Sequence, residues 1–256
     1  MSGIQVFLII GLSKESEHWD DDFIEYLKKS YGIDENDLVK MDIPGSGVLL
    51  DQKTPDSLKE IARKMRAHYH NKIDRSKKRI CISVSLGAMI AMEWACMFKE
   101  DFEQVVFVNA SFTGISPVYK RVQPKAILMF IKIFCTINAV KKEQRILALC
   151  SNKEGVRKKN LSKWVTISKT RPVKKGNLIR QVISGALNNP SQGASAGLLF
   201  IGAKHDRLAH YSCSVAAHKK WGGDFVLIDD PSVGHGVHID DPQHLSSIIY
   251  NWSNRN

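Results

Sequence analysis

The five residues Ser83-Val84-Ser85-Leu86-Gly87 carry a residue type and spacing suited to acyl transfer. They follow the apolar, β-prone run Arg79-Ile80-Cys81-Ile82 and lead into an apolar helical stretch through Phe98. A serine on a sharp strand-to-helix turn, with small residues two before and two after it, reads as a nucleophile elbow. Small neighbours are needed because strand and helix pass close together at such a turn. Ser83 stands where the usual pattern has its first glycine, and Gly87 fills the second position. The plainer reading is a buried strand entering a buried helix, with Ser85 a turn residue only.

A nucleophile on such a turn needs a sheet to hold it. Gln5–Ile10 predicts a first strand, ending at Gly11-Leu12-Ser13. Trp19–Lys29 has Trp19, Phe23, Tyr26 and Leu27 on one helical face. Leu38–Met41 predicts a second strand that runs into Asp42-Ile43-Pro44-Gly45-Ser46-Gly47, where proline and glycine force a loop. A helix starts near Pro55, with Leu58, Ile61, Met65 and His68 on one side. After the elbow come strands at Val105–Val108, Leu198–Ile201 and Phe225–Ile228, then a closing helix from Pro242 to Trp252. Short apolar strands alternating with helices predict an α/β fold with a mostly parallel, doubly wound sheet of about six strands. In such sheets the chemistry gathers at the strand carboxyl ends, where Ser85, Asp206, His235 and the Gly11 turn all fall.

The interval from about Thr113 to Gln192 breaks the alternation with helix-like pieces at Pro124–Ala139, Lys142–Cys150, Leu161–Thr170 and Gly176–Leu187. The expected organisation is a core made of residues 1–112 and 193–256, with a helical cap at 113–192. Charge divides along the same line. Ser111–Pro190 contains 17 Lys and Arg against Glu143 and Glu154, a balance of +15, whereas the net charge of +11 leaves −4 for the rest. That asymmetry suggests an anionic partner for the segment, with a solvated basic surface as the alternative. With 256 residues, one domain is expected. No run reaches the roughly 18 apolar residues of a membrane span. Ile4–Leu12 reads as a strand rather than a signal peptide. The five cysteines are odd in number and lack metal-site spacing, which suggests reduced thiols in a cytoplasmic protein, and no metal or cofactor is expected.

Several segments together resemble the α/β-hydrolase superfamily, and in particular its small, capped bacterial serine hydrolases and esterases. Gly11-Leu12 resembles the post-strand turn that gives one oxyanion donor. Asp42-Ile43-Pro44-Gly45-Ser46-Gly47 is similar to the D-x-P-G-x-G loop of many lipase, esterase and peroxidase-like members. Gly202-Ala203-Lys204-His205-Asp206-Arg207-Leu208 resembles the segment carrying the acid. Gly234-His235-Gly236, continuing to Pro242, resembles the histidine loop. Ser116–Pro124 looks like a segment of a bacterial group of small hydrolases. The order Ser85, Asp206, His235 is that of nucleophile, acid and base in this superfamily. The first two antiparallel strands of the superfamily are not expected here, its frequent His-Gly pair is Ile10-Gly11, and Ser83 replaces a glycine.

The resemblance implies a carboxylic ester (or thioester) hydrolase. Ser85 attacks, His235 takes its proton, and Asp206 orients His235. The backbone N–H groups of Leu12 and Leu86 bind the oxyanion. His238 stands as the other histidine for the base. His205, Asp229, Asp230, Asp240 and Asp241 read as loop or capping residues. Ala126–Phe134, interrupted by Lys132, is the most apolar part of the cap and reads either as packing or as an acyl-chain wall. Phe112, Tyr119, Phe130 and Trp164 are the expected substrate contacts. The basic cap suits an ester on an acidic acyl carrier protein, such as a pimeloyl methyl ester, or an anionic lipid headgroup, as for a (lyso)phospholipase or thioesterase. Nucleic acid is not expected, because Arg157-Lys158-Lys159 lacks interleaved aromatics. The alternative of a different class is a non-catalytic α/β-hydrolase-like binding protein.

Overall fold

The computed structural model describes residues 3–187 and 193–255. The expected cap end at residue 192 lies outside the described residues. The elements run β1 (Ile4–Ile9), α1 (Asp21–Tyr31), β2 (Leu38–Met41), α2 (Leu58–Tyr69), β3 (Lys78–Val84), α3 (Leu86–Met97) and β4 (Gln104–Val108). There follow α4 (Val118–Arg121), α5 (Pro124–Phe134), α6 (Ala139–Cys150), α7 (Glu154–Thr170) and α8 (Lys175–Leu187). The chain then returns to the sheet with β5 (Gly197–Ala203), α9 (Ser212–Trp221), β6 (Asp224–Ile228), α10 (Val237–Asp240) and α11 (Pro242–Ser253).

The six strands form one sheet in the order β2-β1-β3-β4-β5-β6, with every pair parallel. The strand order reverses between β1 and β3, and a crevice opens at the carboxyl ends of strands at such a reversal. Side chains alternate across the sheet as a two-residue period requires. Phe7, Ile9, Cys81, Val105, Phe107 and Phe200 pack on one side with α2, α3 and α9. Val6, Leu8, Ile80, Ile82, Val106, Val108 and Ile201 pack on the other with α1 and α11. Because both faces are covered, the strands read as continuous apolar runs. Helix α3 is buried from Leu86 to Ala95, which explains why it is apolar all round rather than striped.

Four sequence expectations shift. His68 is exposed and Tyr69 takes the buried position, donating no face to solvent while its hydroxyl accepts the Asp42 N–H at 2.9 Å. The helix expected over 124–139 stops at Phe134, because Asn138 caps a new helix by accepting the Lys141 N–H. Helix α7 begins seven residues before the expected Leu161, its polar first turns giving no apolar signal. Helix α9 was not expected at all; its small and polar residues leave only a weak apolar face.

Helices α4 to α8 reach the sheet through the loops at the strand carboxyl ends. Asn177 accepts the Thr54 N–H and donates to the Gln52 carbonyl. Gln181 accepts the Ser13 N–H, and the Cys150 carbonyl accepts the Gly236 N–H. Ion pairs follow the same seam: Lys159–Asp22, Lys163–Asp21, Arg171–Glu15, Lys174–Asp51 and Arg180–Asp56. Five of the 17 basic residues in this segment therefore pair with carboxylates of the rest of the chain.

Candidate active site

Ser85 caps the N-terminus of α3 with φ 56° and ψ −119°, a backbone region that side-chain-bearing residues seldom occupy. Its N–H donates to the Val108 carbonyl at the end of β4. A methyl group placed on Gly11 would lie 3.0 Å from the Ser85 Cβ and 3.6 Å from its Oγ, so the hydroxyl sits directly over the turn after β1. A methyl group on Gly87 would run into the Ile9 and Ile10 carbonyl oxygens. Glycine is required there by the close crossing of α3 over β1. Ser83 causes no such conflict, since its hydroxyl donates to the Val106 carbonyl at 2.7 Å and ties β3 to β4.

The histidine loop is held to the same end of the sheet. Asn109, at positive φ just after β4, donates to the His235 carbonyl at 2.8 Å and accepts the Ala203 N–H at 2.8 Å. Ser85 and His235 are thus each tied to consecutive residues, Val108 and Asn109. The His235 Nδ1 lies 2.7 Å from Asp206 Oδ2, with both side chains buried. The other carboxylate oxygen, Oδ1, accepts the Leu208 and Ala209 N–H groups at 2.6 and 3.1 Å. Both carboxylate oxygens of Asp206 are therefore engaged, and the imidazole is held with Nδ1 toward the carboxylate.

Leu86 is the first residue of α3, and the first amides of a helix have no intrahelical acceptor. Leu12 follows Gly11 in the turn beneath Ser85 and is half-buried. Of the two amides expected to meet an oxyanion, Leu86 follows the serine directly and Leu12 follows Gly11, the residue packed against it. The Asp42 loop supports this turn from behind. Asp42 accepts the Ser16 N–H at 2.6 Å and the Val48 N–H at 2.9 Å. Gly47 has φ 52°, and any side chain there would collide with the Asp42 carboxylate.

The other titratable candidates have different partners. His205 contacts Asp229 at 3.2 Å on the surface. Asp240 accepts Ser151 Oγ and the Asn152 and Gly234 amides. His238 packs edge-on against the stacked rings of Trp19 and Phe23, and burial, helped by the neighbouring His235, pulls it down to about 3. Burial likewise holds His18 well below its ordinary value. Among the described residues no group of three or more His, Cys, Asp or Glu could hold a metal ion.

The expected substrate contacts scatter. Phe112 is packed in the core against Phe107 and Trp221, so it does not line a site. Tyr119 is exposed on α4. Phe130 is half-buried and packs, as Leu208 does, against the cluster of Ala126, Ile133 and Leu149. Trp164 is buried beneath the Lys14 ammonium, which lies 3.6 Å from its ring centre and 3.6 Å from Glu143. Burial lowers Lys14, with Glu143 opposing the shift. Lys14, Gln181 and Asn109 were not singled out as site residues. A lysine three residues past a glycine turn was the available signal for Lys14, whereas Asn109 and Gln181 give none in the sequence.

A family model described as serine aminopeptidase, S33, matches residues 11–242. No curated protein matches the chain. Solved structures share the fold at low identity. A hydrolase from Oleispira antarctica aligns with TM-score 0.75 and 15% identity, over 100% of this chain and 92% of that one. An esterase from Exiguobacterium antarcticum aligns with TM-score 0.72 and 13% identity, over 99% and 92%. A lipase-esterase related protein from Clostridium acetobutylicum gives TM-score 0.72 and 14% identity, over 97% and 94%.

Proposed function

The chain belongs to the α/β-hydrolase family described as serine aminopeptidase, S33, and from that premise we propose that it cleaves carboxylic esters through an acyl-enzyme on Ser85. The observation that carries this reading is the Asp206–His235 hydrogen bond at the strand end that also holds the Ser85 turn. His235 Nε2 takes the Ser85 proton as Oγ adds to the acyl carbon. The oxyanion is met by the Leu12 and Leu86 amides, each such donor being worth about 10²–10³ in rate. Collapse expels the alcohol, which leaves with the proton from His235. Water then attacks the acyl-enzyme by the same route, regenerating Ser85 and releasing the acid. Asp206 holds the imidazole in the required tautomer and stabilises its cation.

Helices α4 to α8 act as the cap, and α8 carries the oxyanion turn through Gln181. A thioester would follow the same course. Turnover of p-nitrophenyl butyrate by the wild type, lost in Ser85→Ala without loss of fold, is the expected result. Turnover that survives Ser85→Ala, or no labelling of the wild type by a fluorophosphonate, would instead favour a non-catalytic binding protein.

A further inference from the structure

The basic residues of the inserted helices fall into two groups. Of those on α7, α8 and the connection between them, Lys159, Lys163, Arg171, Lys174 and Arg180 are consumed by the seam with the core. Lys125, Lys132, Lys141 and Lys142, on α5 and the start of α6, make no ion pair among the described residues. From Thr113 to Lys153 the sole acidic residue is Glu143, and it is buried. This part of the surface therefore carries positive charge with no carboxylate to offset it.

The same part exposes large apolar side chains. Leu128 is 62% exposed, Ile131 56%, Phe134 65% and Ile137 100%. Ile127 joins them on α5 and Val140 at the start of α6. At 3.6 residues per turn, positions 127, 128, 131 and 134 form one stripe. Ala126 and Ile133 lie on the inward side and pack with Leu208, two residues past Asp206. Lys125 and Lys132, seven residues apart, flank the stripe on the outward side. Helix α5 is thus two-sided: one apolar side packs beside the acid loop, and a second faces water with lysines along its edge. A contiguous exposed apolar surface of this kind marks an interaction site.

We propose that α5 and the start of α6 seat this protein on an anionic lipid surface. The stripe would enter the headgroup–acyl boundary, as an amphipathic helix lying in the interface plane does. The flanking lysines meet the lipid phosphates. A second copy of the chain is disfavoured as the occupant, because it would bring two unpaired basic surfaces together. An acidic protein satisfies the lysines, but it would also have to present an apolar groove for the stripe among its carboxylates, whereas a lipid surface supplies anionic headgroups and an apolar layer together. For its purpose, delivery of a lipid-borne ester beneath the cap, the inference rests on the reading of Ser85 given above. The docking itself does not.

The test is flotation of the full chain with vesicles. Mixed phosphatidylglycerol–phosphatidylcholine vesicles should carry the protein, and pure phosphatidylcholine at least about tenfold less. Ile131→Glu with Phe134→Glu should lower partitioning at least about tenfold. Lys125→Gln and Lys132→Gln should each lower it about fivefold on the anionic vesicles. All these variants should keep wild-type circular dichroism and wild-type turnover of p-nitrophenyl butyrate, and Ser85→Ala should float like the wild type. Failure to float, or equal partitioning to both vesicle types, would overturn the proposal. So would a dimer in sedimentation equilibrium that Phe134→Glu abolishes, or retention on an immobilised acidic acyl carrier protein without vesicle binding. Loss of turnover in Ser85→Ala with no flotation of any form would sink the docking and leave the catalytic reading standing.

Discussion

Replacing Asp206 by asparagine separates two jobs that the carboxylate performs at once. Oδ1 accepts the Leu208 and Ala209 amides, and Oδ2 faces His235 Nδ1 at 2.7 Å. Asparagine offers one oxygen and one NH₂. If its oxygen turned toward His235, the NH₂ would face two backbone donors, and leaving each buried amide unpaired costs about 1–3 kcal/mol. The oxygen therefore stays with Leu208 and Ala209, and the NH₂ faces Nδ1. That forces Nδ1 to be the acceptor and puts the ring proton on Nε2, where it cannot take a proton from Ser85. The expected loss in kcat is about 10⁴, or roughly 5.4 kcal/mol at 1.36 kcal/mol per decade. The melting temperature should barely move, because both amides keep their acceptor. Asp206→Ala should lose activity similarly and also melt earlier. The measurements are kcat and kcat/KM for p-nitrophenyl butyrate, with thermal unfolding by circular dichroism. An Asp206→Asn protein within tenfold of wild type would refute the tautomer argument, and with it the role given to Asp206.

Gln181→Leu removes the acceptor of the Ser13 N–H, one residue from Leu12. The expected result is a stability loss of about 1–3 kcal/mol in urea and a fall in kcat with little change in KM; an unchanged kcat would count against the positioning role. His238 and His18 both have folded values below the unfolded imidazole value of about 6.5. The unfolded chain then binds more protons below that pH, so stability present above about pH 6.5 is lost as pH falls, for His238 down to about 3, at up to roughly 1.4 kcal/mol per pH unit per ring. His238→Phe, a ring of similar size among Trp19 and Phe23, should make the acid limb of urea-measured stability shallower; a steeper limb would reverse the sign.

Much of the sheet was legible because β1, β3, β4 and β5 are buried on both faces and read as nearly continuous apolar runs. Gly87 was legible for a local reason, since a turn that brings α3 over the β1 carbonyls admits nothing larger. The inserted helices were less so. Their boundaries depend on caps such as Asn138, and their inner sides hold polar groups, Asn177 and Gln181, which look like surface residues until the loops they bind are in place. Phe112 misled because an aromatic after a strand can enter either the site or the core, and here Trp221 of the unforeseen α9 claimed it. The charge asymmetry was plain in the sequence, but its division into lysines that face the core and lysines that face water needed the fold.

The Ser85 backbone, at φ 56° and ψ −119°, sits in a region whose occupation costs about 1–3 kcal/mol for a residue with a side chain. Glycine would relieve that cost and keep the turn. The most favourable residue for folding at this position is therefore one without a hydroxyl. Any procedure that ranks variants by stability alone, such as directed evolution under heat, would be drawn toward discarding the proposed nucleophile first.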